Sequence, residues 1–196
     1  MMNILHNQWD LGEEESKTTG PWCAYYLLFD ILSKAERIII KKLDNKVIGF
    51  CAYEKRGSKK FLIRKNFYKS LKFLIVKSPF IKDKKAFVRY NRLYDKIESK
   101  FDNKYDGDII IFIVDKKYQG NGYGTKLLKT AFDLAKKDNM KNLKIVTDDD
   151  CNYKYYESLG FKKIYEEPIY FDKNKKYKEE QFIYEVNLKE GEENEV

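Results

Sequence analysis

Histidine is almost absent from this chain of 196 residues; His6 is the only one. That all but excludes a histidine-based catalytic triad and a multi-histidine metal site. Cysteine is scarce too. Cys23, Cys51 and Cys151 lie far apart, are odd in number and form no CxxC pair, which argues against a disulfide framework and against zinc. Such usage fits a reducing compartment, and a cytoplasmic location is the expectation. No apolar run approaches the roughly 20 residues that span a bilayer. The N-terminus has no basic region leading into an apolar one, so no signal peptide and no membrane partner are expected. Internal repeats are lacking as well.

What is present is a globular composition. Apolar residues make up 43% and aromatic ones 16%, enough to bury a core. The length suits one domain, expected over 1–189, with a frayed acidic tail over 190–196. Lys and Arg number 39 against 31 Asp and Glu, a net charge of +8. That balance favours anionic partners, whether a phosphorylated cofactor, an acidic substrate or nucleic acid. Scattered lysine is also the ordinary means of keeping a surface soluble.

The spacing of Tyr25, Tyr26, Leu28, Phe29 and Leu32 predicts a helix from about Trp22 to Ser33. Two strands follow, Arg37–Lys41 and Lys46–Tyr53, joined by the turn residues Leu43-Asp44-Asn45. Gly49 lies inside the second strand, where a bulge or a close backbone approach is expected. Residues 56–105 interleave Lys with Phe, Tyr and Leu. They read as amphipathic helices with a break at Ser78-Pro79 and a further helix from about Lys85 to Lys100. From residue 108 the pattern sharpens to strand, glycine turn, helix, strand. Asp138-Asn139 ends that helix, and Asp148-Asp149-Asp150 offers capping chemistry for a short helix from Cys151 to Leu159. Residues 161–165 and 181–188 read as the last two strands.

The glycine turn is Gln119-Gly120-Asn121-Gly122-Tyr123-Gly124-Thr125. It follows the apolar run Ile109–Val114 and precedes an amphipathic helix. A turn of this kind aims backbone N–H groups and the positive end of a helix dipole at one point, the natural place for a phosphate. Spacing separates its usual owners. A P-loop needs a Gly-Lys pair that is missing here. A dinucleotide fingerprint needs a third glycine where Thr125 stands. The remaining pattern, Q/R-x-x-G-x-G/A, is met by Gln119, Gly122 and Gly124.

That pattern resembles motif A of the Gcn5-related N-acetyltransferase (GNAT) superfamily. Downstream, Tyr155-Tyr156-Glu157-Ser158-Leu159-Gly160-Phe161 resembles the family's motif B, in the order the family requires. The resemblance covers about residues 108–165, and Asn45–Phe50 looks like the family's third strand. It implies an α/β (α+β) fold of acyl-CoA N-acyltransferase type: a mixed, mostly antiparallel central sheet flanked by helices, with 56–105 as a helical insertion before the fourth strand. It implies acetyl-CoA as cosubstrate, no metal, and transfer of the acetyl group to an amine by direct attack. The loop amides of Gly120, Asn121, Gly122, Tyr123, Gly124 and Thr125, with Gln119, would hold the pyrophosphate. Backbone groups of Ile113 and Val114 would meet pantetheine, Asn152 would touch the cofactor, and Tyr156 would be the general acid. The chain departs from the family at Lys116, where many members have Pro, and at Asp149, where many have Asn.

Asp108 and Glu54 are candidates for accepting the amine's proton. Cys151 offers an acetyl-cysteine route as the alternative to direct attack. Two other readings stay open: a non-catalytic acyl-CoA-binding module, and a nucleic-acid-binding protein using the basic, aromatic segment 56–105. The expected partner is a small-molecule or peptide amine, and a homodimer is open. Trp9, Trp22, Tyr25 and Tyr26 are candidates for the acceptor side, with core packing as the alternative.

Overall fold

A computed structural model describes residues 1–8, 19–78, 84–170 and 178–188. Trp9 and the acidic tail lie outside them. Two helices come first, α1 (Met2–Gln8) and α2 (Thr19–Lys34), followed by β1 (Arg37–Leu43) and β2 (Lys46–Lys55). Asp44 and Asn45 both have positive φ, 47° and 62°. This is the twist that a two-residue hairpin requires, and a short polar side chain tolerates it. The insertion folds as α3 (Leu62–Lys77) and α4 (Lys84–Ser99). It leaves and rejoins the sheet at one place, where Arg56 N–H donates to Asp106 O at 2.8 Å. Then come β3 (Gly107–Val114), α5 (Tyr123–Lys137), β4 (Asn142–Asp148), α6 (Lys154–Ser158), β5 (Lys162–Tyr170) and β6 (Lys178–Asn187).

The strands form one six-stranded sheet in the order β1-β2-β3-β4-β6-β5. Every pairing is antiparallel except β3 with β4. Among the described residues the strand after the insertion is therefore the third. The final two strands are longer than their apolar cores suggest. Pro168 sits in β5, an edge strand, where its missing N–H costs no ladder bond with a further strand.

Side chains alternate across the sheet, so each strand feeds two cores. Cys51 and Tyr53 of β2 join Leu127, Leu128, Ala131 and Ala135 of α5. Phe50 and Ala52, their neighbours, join Leu5 of α1 and Ala24 and Ile31 of α2. Burial on both faces explains the unbroken apolar run in β2. At Gly49 the reason for glycine is close approach, since a Cβ there would lie 2.8 Å from Ile113 O.

An ionic knot fixes the end of α5 to the first hairpin. Arg37 grips Asp138 with two bonds of 2.7 and 2.8 Å, and the Tyr53 hydroxyl donates to the same carboxylate at 2.7 Å. The Arg37 hydrogen bonds hold the Asp138 carboxyl well below the usual carboxylate range, despite its burial. Asn139 then takes the left-handed conformation, φ 59°, that closes the helix. Replacing Asp138→Asn should cost about 2 kcal/mol, because charge-assisted bonds are lost at a buried site. The stability Asp138 contributes is present above the ordinary aspartate pKa and is lost as pH falls below it. Chemical denaturation at neutral and acid pH should show wild type and variant converging in acid.

Candidate active site

Pairing between β3 and β4 runs over only three positions, Gly107–Leu143, Asp108–Lys144 and Ile109–Ile145. Beyond Ile109 the strands part. β3 shifts register against β2 between Ala52 and Tyr53, which leaves Ile110 as the extra residue of a bulge. The gap opens into a cavity of about 990 Å³. Along its floor run Ile110 to Val114 of β3 and Val146 to Asp148 of β4.

One end of the cavity is the glycine loop. Gly120 and Gly122 have left-handed φ of 77° and 73°, and nothing lies within 4 Å of where their Cβ atoms would be. Gly122 is the cap residue just before α5 and has no side chain to bond the first turn, so the first N–H groups of this helix have no partner within it. Gly124 packs close to the floor, 3.2 Å from Phe112 Cζ for a Cβ placed there. Gln119 turns its side-chain amide back to Val114 O at 2.8 Å, tying the loop to the strand end. Ile113, Val114, Gln119, Gly120, Gly122, Gly124, Thr125 and Asn152 all line the cavity. Asn121 and Tyr123 are placed otherwise. The Asn121 amide braces the loop against Gln119 O at 3.0 Å and Tyr118 O at 3.3 Å, and Lys41 lies over the Tyr123 ring.

Tyr156 of α6 also lines the cavity. It is packed among Phe112, Tyr155, Phe161 and Tyr184. Burial pushes its hydroxyl well above the ordinary phenol range, so it keeps its proton at any working pH. The preceding turn is wound differently from a helix starting at Cys151. Asp148 Oδ1 accepts from Cys151 N–H at 2.9 Å, which makes a capped turn, and the helix starts only at Lys154. Burial pushes the Cys151 thiol up to about 12, so it is not a ready nucleophile at neutral pH. Asp149 is taken up by β6, accepting from Glu180 N–H at 2.9 Å.

The other end is acidic. Asp30 and Lys34 of α2 and Asp95 and Glu98 of α4 line it, with Asp148 below. Lys34 bridges Asp30 and Asp95 at 3.2 Å each. Tyr94 of α4 donates to Asp148 Oδ2 at 2.7 Å and also contacts Glu179 of β6, while Tyr90 reaches Glu179 at 3.2 Å. Burial pushes the Glu179 carboxyl up to about 7, and the Asp148 charge adds to this against the hydrogen bonds of Tyr94 and Tyr90. The candidates Asp108 and Glu54 are not part of the cavity lining. Asp108 is buried between Arg56 and Lys144, whose Nζ lies 3.3 Å away. Trp22 and Tyr26 are buried with Ile75, Val76 and Val88, and Tyr25 is exposed. The acid end left one trace in the sequence, the Tyr90–Tyr94 spacing of one helical turn, which says nothing of what the turn faces.

Comparison with known proteins follows the same outline. The family model described as acetyltransferase (GNAT) family matches residues 2–161. No curated protein matches the chain. Among solved structures, PH1933 from Pyrococcus horikoshii OT3 is 24% identical with a TM-score of 0.54, over 95% of this chain and 90% of that one. The structure of yncA from Salmonella typhimurium with its cofactor acetyl-CoA is 14% identical with a TM-score of 0.50, over 100% and 90%. A structure from Bacillus anthracis str. Ames in complex with acetyl coenzyme A is 21% identical with a TM-score of 0.48 over 76% of this chain, which spans only 61% of that one. At these identities the likeness to the first two shows the fold.

The Glu179 carboxyl gives a testable pH signature. Its folded pKa of about 7 lies above the ordinary 4.5, so between those values the folded chain holds a proton that the unfolded chain has released. Stability therefore falls as pH rises through that window. Glu179→Gln should flatten the fall, read as melting temperature against pH from 4.5 to 8; an unchanged slope would assign the dependence elsewhere.

Proposed function

Since the chain belongs to the acetyltransferase (GNAT) family, we propose that it transfers the acetyl group of acetyl-CoA to the amine of a positively charged acceptor. The observation that carries this reading is a single cavity with a phosphate-type loop at one end and carboxylates at the other. The donor end suits the group it must hold. Two left-handed glycines leave the approach to the loop open, and the α5 N-terminus supplies unpartnered N–H groups. Beyond Ile109 the β4-facing edge of β3 has no strand beside it, so the backbone around Ile113 and Val114 can bond an extended pantetheine chain as a strand would.

Acetyl-CoA supplies an activated acyl carbonyl and a thiolate leaving group. The chain's own residues handle the protons. Tyr156, protonated and among the residues that line the gap, donates to the departing sulfur. Asp148, held by the Tyr94 hydroxyl, receives the proton that the attacking amine gives up, with Glu179 behind Tyr94 to share it. One C–N bond forms, one C–S bond breaks, and each proton has a named donor and acceptor. Direct attack is favoured over a Cys151 intermediate because the thiol is held protonated. Of the carboxylates at the acceptor end, Asp30, Asp95 and Glu98 pair with Lys34, Lys72 and Lys144, and Asp148 has no cation beside it among the described residues of the cavity lining. This surplus of negative charge favours an amine carrying a second positive group.

Two measurements test this. Tyr156→Phe should lower kcat by about a hundredfold, the usual scale of a lost general acid, while the acetyl-CoA dissociation constant stays within about threefold; weakened binding with unchanged kcat would remove Tyr156 from the chemistry. Release of free CoA thiol should be followed with polyamines, aminoglycosides, amino acids, peptide N-termini and an amine of no other charge. Polycations should win by about tenfold or more in kcat/KM at low salt, and Asp148→Asn should erase most of that preference. Binding of acetyl-CoA without thiol release for any amine would favour a non-catalytic acyl-CoA module.

A further inference from the structure

Helix α3 has no buried residue. One flank leans on α2: the Tyr68 ring lies 6.0 Å from Phe29, Lys72 pairs with Asp30, and the Trp22 indole donates to Ile75 O at 3.0 Å. The other flank faces solvent and is apolar. Ile63 is 89% exposed, Phe67 58% and Leu74 62%, with Phe73 at 59% beside them. The spacing 63, 67, 70, 74 and 77 draws a single stripe along the helix, broken only by Ser70 and ended by Lys77.

Charge around the stripe has one sign. Residues 57–78 contain seven Lys and Arg and no Asp or Glu. Over 56–105 there are sixteen against four, a surplus larger than that of the whole chain. Lys59, Lys69 and Lys77 are exposed on α3 or just before it, and Lys85, Arg89, Arg92 and Lys96 are exposed on α4. Val76, Val88, Lys85, Arg89 and Arg92 share a shallow groove where the two helices meet.

We propose that α3 docks the protein on an anionic phospholipid surface, with Ile63, Phe67, Phe73 and Leu74 dipping into the acyl boundary and the flanking cations among the headgroups. A ridge of large apolar side chains on a convex helix, bordered by lysines, is the form that lies in a membrane interface. Cations near an anionic leaflet add attraction that salt weakens. No described helix is long and apolar enough to cross a membrane, so the helix lies on the surface. A second copy seated on the same stripe would bring two wholly basic flanks together. Nucleic acid would satisfy the lysines but leave Ile63 and Leu74 in water.

The test is sedimentation of the purified full chain with vesicles of phosphatidylcholine, alone or mixed with phosphatidylserine. The protein should pellet with the anionic vesicles, not with the neutral ones, and binding should fall as salt is raised. The double variant Ile63→Glu, Phe67→Glu should lose about tenfold or more in partitioning with its melting temperature unchanged, since both side chains are already exposed. Lys69→Glu with Lys77→Glu should weaken binding to anionic vesicles in the same way. Failure to pellet with anionic vesicles would overturn the proposal, as would pelleting that ignores both pairs of substitutions. Self-association or RNA retention abolished by Ile63→Glu, Phe67→Glu without vesicle binding would give the stripe to those partners and overturn it equally.

Discussion

The rest of the structure depends on two neighbouring strands that stop being neighbours. β3 and β4 pair at three positions and then part. Every backbone group beyond that point needs a partner from somewhere else, because an unpaired buried amide or carbonyl is costly. Water can serve in the free protein, and an extended amide-bearing substrate chain can replace it. The bulge at Ile110 turns the strand away at the right place. The loop at Gly120 and Gly122 and the residue Tyr156 both line the opening.

Such a gap must be held at its closed end. Charge does this on the α4 side. Buried Asp108 and Lys144, with partly exposed Arg56 and Glu98 at either end, form a chain that bolts β3, β4 and α4 together just below the point of divergence. Buried ion pairs of this sort are poor sources of net stability but penalise alternative registers. On the opposite face Asp138 binds the C-terminal end of α5 to β1 and β2. Since α5 is rigid, this also fixes where its N-terminus points. Burial raises the Asp108 carboxyl even so, against the pull of Lys144 and Arg56.

What the sequence made legible was local. A β-branched run, three glycines at fixed offsets and an amphipathic stretch specify strand, turn and helix without reference to the rest of the chain, and the structure has them at 107–137. The Asp44-Asn45 turn and the stop at Asn139 are legible for the same reason, because each depends on one residue's backbone freedom. The acid end was not. Asp148 reads as a helix-capping residue but caps only the turn before α6, and nothing in the strand says that Tyr94 from a helix some fifty residues earlier will sit against it. Asp108 drew notice as a free carboxylate because its partners Arg56 and Lys144 are brought to it only by the sheet. The stripe on α3 is visible as a pattern. That it stays uncovered depends on which flank α2 takes.

The single hydrogen bond between Arg56 and Asp106 marks the neck of the helical insertion. Chain enters and leaves the sheet at one point, so lengthening what lies between adds little loop-closure entropy to the frame, provided that the contacts of α3 with α2 and of Glu98 with Lys144 are kept. The frame holds the donor loop and Tyr156, whereas Tyr90, Tyr94, Asp95 and Glu98 arrive on the inserted piece. On the proposed reading, part of the acceptor end is thus carried on the insertion, and the rest, Asp30, Lys34 and Asp148, on the frame. If the proposed reading holds, a graft of 57–105 between two proteins of this fold shifts acceptor preference more than it changes acetyl-CoA binding.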